Sequence, residues 1–371
     1  MISFPIPPDG AELDSTLAEI PNLPAVFLLW PAEGTPYLAK TNVLRRRLTR
    51  LLGISQKQSK TLNLRSTAQR VEYRLTGSAL ESHFVLAEQA RLHLGSGYRK
   101  EIRLRMPPYV KLVLTNPFPR TQVANRLGRA KAVYFGPFRS RSTAARFESE
   151  FLDLFQLRRC QEDLAPAATH PGCIYGEMGR CLRPCQQVVG IAEYRSEAER
   201  VAEFLHSAGY SLLDSAASAR ERLSVELDFE GAARMHQRFE KVKSVLELSD
   251  EMVRDVDSLH ACTITKSAIP DAVELGWVRG GHWQGFHALP LQMGEGTAMS
   301  LDTRVRQLAS DIPVIAGAPG EREEQLAILA RWFYSSWRDG EMILFDSWDK
   351  LPIRKLVNAI SRVAQAKSSR P

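Results

Sequence analysis

The period of the apolar positions changes several times along the 371 residues, and each change marks a different kind of element. From about residue 20 to 115, short apolar runs (Ala25 to Trp30, Tyr37 to Ala39, Tyr109 to Thr115) alternate with helical patterns. This predicts a small α/β unit over 21–115, preceded by an N-terminal extension over 1–20. Between Arg141 and Leu157 apolar residues recur at helical spacing through Ala144, Phe147, Phe151, Leu154 and Phe155. From Gln187 to Leu248 nearly everything reads as helix, interrupted at Gly209 and Asp228. After Asp257 the pattern turns to strands. Leu275 to Val278 and Trp283 to Leu289 flank Arg279-Gly280-Gly281-His282, a hairpin signal, and Glu321 to Arg338 places Leu326, Leu329, Phe333 and Trp337 on one side of a helix. The expected fold class is α+β: the N-terminal unit, a cysteine-bearing region over 130–200, a helical hairpin over 201–250 and a small α+β unit over 257–371.

Charged residues at 25% and aromatics at 8% are ordinary for a globular chain. No stretch approaches the roughly 20 apolar residues that span a bilayer, so no membrane role is expected. The first residues, MISFPIPPDGAELD, carry acids where a signal peptide carries lysines, and a cytoplasmic, reducing location is expected. The net charge of +7 is unevenly distributed: Met1 to Cys160 holds 25 Lys and Arg against 12 Asp and Glu, while the remainder is mildly acidic. A basic first part is the footprint of a polyanionic partner, most simply DNA, although a solvated basic face has the same composition.

Four of the five cysteines, Cys160, Cys173, Cys181 and Cys185, fall within 26 residues at gaps of 12, 7 and 3, leaving Cys262 alone. In a reducing compartment such a cluster points to metal rather than disulfides, because thiolates are soft ligands for zinc and for iron–sulfur clusters. Structural zinc sites usually come as two short CxxC-like pairs, so the wide first gap favours iron–sulfur and leaves zinc as the alternative.

Tyr134-Phe-Gly-Pro-Phe-Arg139, the helix ending Phe155-Gln-Leu-Arg-Arg-Cys160, and Gly179-Arg-Cys-Leu-Arg-Pro-Cys185 together resemble the middle of the UvrC family, the incision subunit of bacterial nucleotide excision repair. The resemblance implies that Cys160, Cys173, Cys181 and Cys185 hold a [4Fe-4S] cluster. It continues into Leu227-Asp-Phe-Glu-Gly-Ala-Ala-Arg234, which resembles the UVR motif, a helical hairpin through which UvrC and UvrB recognise each other. The residues carry an independent reading. Leu227, Phe229, Ala232, Ala233, Phe239, Val242 and Leu246 form an apolar face with charges outside, and a hairpin this small cannot bury its own face. Either a partner protein or the chain's own helices must cover it.

The same family begins with a GIY-YIG nuclease domain. Pro24-Ala-Val-Phe27 and Tyr37-Leu-Ala-Lys40 stand where its two motif strands belong, followed by a helix from Val43 to Leu51 capped by Thr41 or Asn42. The resemblance assigns catalytic roles to Tyr37, Lys40 and Arg47, with magnesium or manganese as the metal of an active enzyme. Three positions depart from the pattern: Phe27 replaces the first tyrosine, Ala39 replaces a glycine, and Ala87 falls where the metal-binding glutamate belongs, with Glu88 one position along as a possible substitute. One position is about 100° around a helix. Losing a general base costs on the order of 10² to 10⁴ in rate, and losing the metal anchor costs more besides. Lys40, Arg45, Arg46, Arg47 and Arg50 would still hold DNA phosphates.

The family's second nuclease, RNase H-like, and its helix-hairpin-helix tail are not expected within these residues. Asp346 after an apolar strand, and His282 and His287 on the hairpin, read as structural. The expected function is therefore a DNA-binding, UvrC-like repair protein that docks UvrB or another UVR-bearing protein and cuts poorly. The alternatives are a short, active GIY-YIG endonuclease and an RNA-binding protein that reuses the fold.

Overall fold

The computed structural model describes residues 1–53, 62–128, 131–292, 299–315, 317 and 319–366. Among them the chain builds three four-stranded antiparallel sheets, each dressed with helices. The mixed helix-and-sheet class agrees with the expectation from the pattern.

The first sheet takes in residues expected to be an extension. β1 (Ile2–Pro5) pairs with β4 (Ala68–Leu75), and α1 (Gly10–Glu19) buries Leu13 and Leu17 against the sheet. The acids among the first residues cap and solvate: Asp9 accepts from the Glu12 amide at the helix start, while leucines four apart face inward. β2 (Ala25–Pro31) runs between β4 and β3 (Tyr37–Thr41), with Phe27 opposite both Ala39 and Tyr73. α2 (Leu44–Leu52) buries Leu44, Leu48, Leu51 and Leu52 and turns its arginines outward. α3 (Ala79–His93) lies behind β2 and β3, capped by the Ser78 hydroxyl, and the short α4 (Tyr98–Glu101) follows.

β5 (Tyr109–Val113), expected within the N-terminal unit, instead pairs with β6 (Thr121–Ala124) and β7 (Ala132–Gly136) in the second sheet. α5 (Arg141–Leu152) ends before Leu154 and Phe155: the chain turns at Asp153, and Phe155 still reaches the core because the turn returns it to the same side. α6 (Ile174–Glu177) is a single turn inside the cysteine segment. α7 (Ile191–His206), α8 (Tyr210–Val225) and α9 (Phe229–Leu246) are separated at Gly209 and at Glu226 to Asp228, in keeping with the helical pattern. The core between this sheet and its helices is an aromatic stack: Phe147 lies 5.2 Å from Phe135 and 5.4 Å from Phe151, and Phe151 lies 5.8 Å from Phe204.

β8 (Arg254–Asp255) closes the second sheet, and β9 (His260–Lys266) opens the third. β10 (Ala272–Arg279) and β11 (His282–Pro290) form the hairpin, with Arg279 opposite His282. Gly280 and Gly281 both take positive φ, +55° and +70°, which a type I′ turn requires and glycine supplies without steric cost. α10 (Leu301–Asp311) and α12 (Ile353–Gln365) cover one face of this sheet, with β12 (Gly340–Phe345) at its edge.

α11 (Pro319–Phe333) stops earlier than the apolar spacing predicts. Trp337 lies past its end, 42% exposed, and stacks on His83 rather than on the helix's own side. α11 is wedged between the units. Leu326, Leu329 and Trp332 share one core with Leu80 and Ala87 of α3 and with Tyr109 and Tyr134 of the second sheet.

Candidate nucleic-acid interface and cysteine centre

The strand pair and α2 bring part of the expected site together. Arg47 donates from Nη2 to the Tyr37 hydroxyl at 3.2 Å. Phe27 is fully buried beneath, its ring 6.2 Å from that of Tyr37, and contributes no hydroxyl. Thr41 and Asn42 do not cap α2. The first helical residue is Leu44, whose amide donates to the Leu23 carbonyl, and the Arg46 amide donates to Asn22 Oδ1 at 3.2 Å. Residues from the loop before β2 thus satisfy amides that a side-chain cap usually takes. Arg45 donates from Nε to the Ile20 carbonyl at 2.7 Å, a structural bond that ties α2 to the end of α1. Arg46, Arg47 and Arg50 line a hollow of about 800 Å³.

Lys40 turns the other way. Its ammonium lies 2.9 Å from His83 Nε2, and His83 Nδ1 lies 2.6 Å from the Ala79 carbonyl. A carbonyl accepts only, so Nδ1 carries the proton and Nε2 accepts from Lys40. The charges agree with this tautomer. Burial, then the Lys40 charge, lower the His83 pKa to about 4; burial, then the Arg331 guanidinium, lower that of Lys40 to about 8. At neutral pH the pair is one ammonium and one neutral imidazole.

The two residues weighed for a metal, Ala87 and Glu88, lie on α3. Ala87 is buried on the side of α3 that packs against α11, and Glu88 is exposed on the wall of a separate hollow with Arg91, Glu321 and Glu324. Neither lines the hollows that hold Lys40 and Arg47. Ser82 and His83 line the Lys40 hollow, and four positions on from them stand Leu86 and Ala87, neither a carboxylate. Spacing on the helix could have identified His83; Asn22, Arg331 and Trp337 could not be found this way, because their contacts cross loops or join opposite ends of the chain.

The cysteine segment is irregular and held by buried polar groups. Tyr194 of α7 accepts from the Arg158 amide at 2.9 Å and donates to the Pro119 carbonyl, and Glu197 accepts from the Gln156 amide. Arg183 and Gln187 both adopt left-handed φ, near +55°, on either side of Pro184-Cys185-Gln186. Non-glycine residues adopt this at a cost of about 1–2 kcal/mol each, so the turn that presents Cys181 and Cys185 is imposed by its surroundings. Cys181 and Cys185 are buried, Cys160 is half-buried and Cys173 is exposed. Burial, with the other thiols adding to it, raises the Cys181 pKa to about 11 and shifts Cys185 in the same direction, so the four lie within electrostatic reach of one another.

As they stand, no three His, Cys, Asp or Glu side chains among the described residues are arranged to hold a metal ion. The chemistry of the surroundings nevertheless fits an anionic thiolate centre. The Arg183 amide donates to Cys181 Sγ at 3.4 Å, and Arg158 Nη1 lies 3.4 Å from Cys160 Sγ. Arg158 is 1% exposed, bonds otherwise to carbonyls, and leaves Nη2 buried without a hydrogen-bond partner. A buried guanidinium with no carboxylate is costly unless negative charge is supplied nearby, and bound thiolates supply it.

The helical hairpin does not form one apolar face. Val242 and Val245 are buried in the aromatic core and Leu246 packs against it, so the root of the hairpin is covered by the chain itself. Phe239 is half-buried beneath Arg220, Ala232 is half-buried and Ala233 exposed. The tip is bare: Val225, Leu227 and Phe229 are 76%, 72% and 68% exposed. Leu227 holds a left-handed φ of +62° at the turn, and Asp228 caps α9 through the Gly231 amide.

Residues 108–204, which carry three of the four strands of the second sheet, the phenylalanine-rich α5 and all four clustered cysteines, match the family model for the UvrC/Cho excinuclease middle domain. The chain therefore carries a middle domain of the UvrC/Cho type. It is 28% identical over 240 residues to the UvrABC system protein C of Moorella thermoacetica, covering 64% of this chain and 38% of the relative. The proteins of the same name from Lachnospira eligens and Trichlorobacter lovleyi are 23% and 25% identical, covering 78% and 80% of this chain and 48% and 49% of theirs. The chain thus spans half or less of the length of these UvrC relatives. No solved structure matches. Among the described residues, no helix of the chain is long and apolar enough to cross a membrane.

Proposed function

We propose that the chain is a UvrC-type protein of nucleotide excision repair that binds DNA through its basic N-terminal unit, docks a UVR-bearing protein such as UvrB through the tip of the α8–α9 hairpin, and cuts poorly or not at all. The observation that carries the last point is the residue set around Tyr37 and Arg47: Phe27 is buried and supplies no hydroxyl, and neither Ala87 nor Glu88 of α3 lines the hollows that hold Lys40 and Arg47. A phosphodiester hydrolase needs a base for the water and charge stabilisation at the phosphate, usually through a metal. The Tyr37–Arg47 hydrogen bond favours the second reading, an active short endonuclease. The two readings separate in an assay of damaged duplex with magnesium or manganese, with and without UvrA and UvrB. No incision above background is expected; a nick that disappears in Arg47→Ala would establish the endonuclease.

The four cysteines are proposed to hold a [4Fe-4S] cluster, with zinc as the alternative and Arg158 as the buried countercharge. Such a centre would tie the irregular segment to α7 and needs no part in cutting.

The docking reading rests on the exposed tip. Replacing Leu227 with Gly and Phe229 with Ser together removes its apolar side chains. Both sites are exposed, and glycine suits the φ at 227, so thermal stability is expected to stay within about 0.5 kcal/mol of the parent. Affinity for UvrB is expected to fall at least about tenfold, as for the loss of an interface anchor. Unchanged affinity by titration calorimetry would place the interface elsewhere.

A further inference from the structure

Lys40 and His83 form half of a hollow whose other half comes from the far end of the chain. This hollow, about 720 Å³, is closed by Arg331 at the end of α11, Trp337 beyond it and Asp339. The His83 imidazole stacks on one face of the Trp337 indole, with centroids 5.1 Å apart and planes at 20°, and the Lys40 ammonium lies 6.0 Å from the indole centroid. Asp339 is occupied in fastening the halves together: it accepts from the Ala79 amide at 2.6 Å and from Trp332 Nε1 at 3.0 Å. Lys40 spends its hydrogen bond on the neutral His83, and Arg331 reaches only the Arg103 carbonyl at 3.5 Å. Neither cation forms an ion pair among the described residues. Asn22 and Val43 line both this hollow and the one that holds Arg46 and Arg50, so the two adjoin.

We propose that this track binds single-stranded DNA, with phosphates on Arg46, Arg50, Lys40 and Arg331 and one nucleobase stacked on the exposed part of Trp337, so that the C-terminal unit completes the DNA-binding surface. The inference rests on the reading of the N-terminal unit as DNA-binding and adds the strand form and the residues that select it. A row of cations tracks a backbone, and a partly exposed indole, 42% accessible here, accepts a base only when that base is unstacked from its own duplex. His83 backs the indole and holds it in place.

Fluorescence anisotropy with a labelled 12-nucleotide single strand and a duplex of the same sequence tests this. Trp337→Ala is expected to weaken single-strand binding about 5- to 150-fold, the worth of one stacked base, with the duplex and the salt slope little changed. Trp337→Phe is expected to restore most of it. Arg331→Ala is expected to lower the salt slope by about 0.7, as for one lost phosphate contact. Lys40 is charged below its pKa of about 8 in the free protein, where burial and then the Arg331 charge lower it, Asp339 opposes them, and His83 beside it is neutral. Affinity is therefore expected to fall between pH 7 and 9, and Lys40→Arg is expected to remove that fall.

The double variant Arg46→Ala with Arg50→Ala separates the two layers of the argument. If it loses binding while Trp337→Ala and Arg331→Ala do not, the N-terminal unit binds DNA and the composite track is wrong. If none of the three loses binding, the DNA reading fails with it. Equal affinity for free deoxynucleoside monophosphate, or tighter binding to RNA of the same sequence, would also overturn the proposal.

Discussion

Replacing Cys181 with Ser is expected to turn a brown, iron-bearing protein colourless and to destabilise the segment from Gln156 to Val189. Cys181 is buried, receives an amide from Arg183, and sits in a turn held open by two left-handed residues. Serine is nearly isosteric but offers a hard hydroxyl where a soft thiolate is needed. Metal-binding free energy at thiolate sites becomes folding free energy, on the order of 10 kcal/mol for structural zinc, so losing one buried ligand is expected to cost several kcal/mol. Anaerobic purification with iron and sulfide analysis and a melting curve measures both effects. About four irons per chain are expected in the parent and almost none in the variant. Cys262→Ser is the control, because Cys262 is fully buried in the third sheet, away from the cluster, and its loss should leave the colour intact. One zinc per chain in the parent would remove the iron assignment; undiminished iron in Cys181→Ser would remove the ligand assignment.

The second large effect is expected in the aromatic core. Phe147 is fully buried and lies 5.2 to 5.4 Å from Phe135, Phe138 and Phe151. Its neighbours are rings that cannot easily collapse into a vacated space, so Phe147→Ala is expected to cost about 3–5 kcal/mol through lost burial and a residual cavity. Urea unfolding followed by far-ultraviolet circular dichroism reads this directly. A loss under about 1 kcal/mol would show that the stack does not carry the middle unit. The same variant should leave DNA binding by the N-terminal unit unchanged below the unfolding transition.

Local pattern carried the helices over 191–246 and the glycine hairpin, because in both the interrupting residues do physical work: Gly209 takes φ of +85° between α7 and α8, and Gly280 and Gly281 make the turn. It failed where tertiary contact overrides periodicity. Phe155 keeps helical spacing with Phe151 although the chain has already turned at Asp153, because both rings must meet Phe204. Trp337 continues the apolar rhythm of α11 but leaves the helix to meet His83, 254 positions earlier in sequence. The strand order within the N-terminal unit was hidden by the prolines around Ile2 to Pro8, which mask a paired strand. At the candidate catalytic site, Tyr37 and Arg47 meet in space as their places on strand and helix suggest, whereas the packing of Ala87 against α11 depends on a helix more than 200 residues away in sequence.

The wedge formed by α11 governs how the protein can be cut into pieces. Leu326, Leu329 and Trp332 lie between α3 and the aromatic faces of Tyr109 and Tyr134, so the first and second units touch a shared helix that follows both in the chain. A fragment ending near residue 250 keeps the basic arginines, the cysteines and the hairpin, yet uncovers Leu80, Tyr109 and Tyr134 to water. Such a fragment loses the fixed angle between the arginine track and the hairpin tip. In the intact chain that angle is set by packing rather than by a linker, so under the proposed function the protein would act as a gauge between a bound DNA strand and a docked partner.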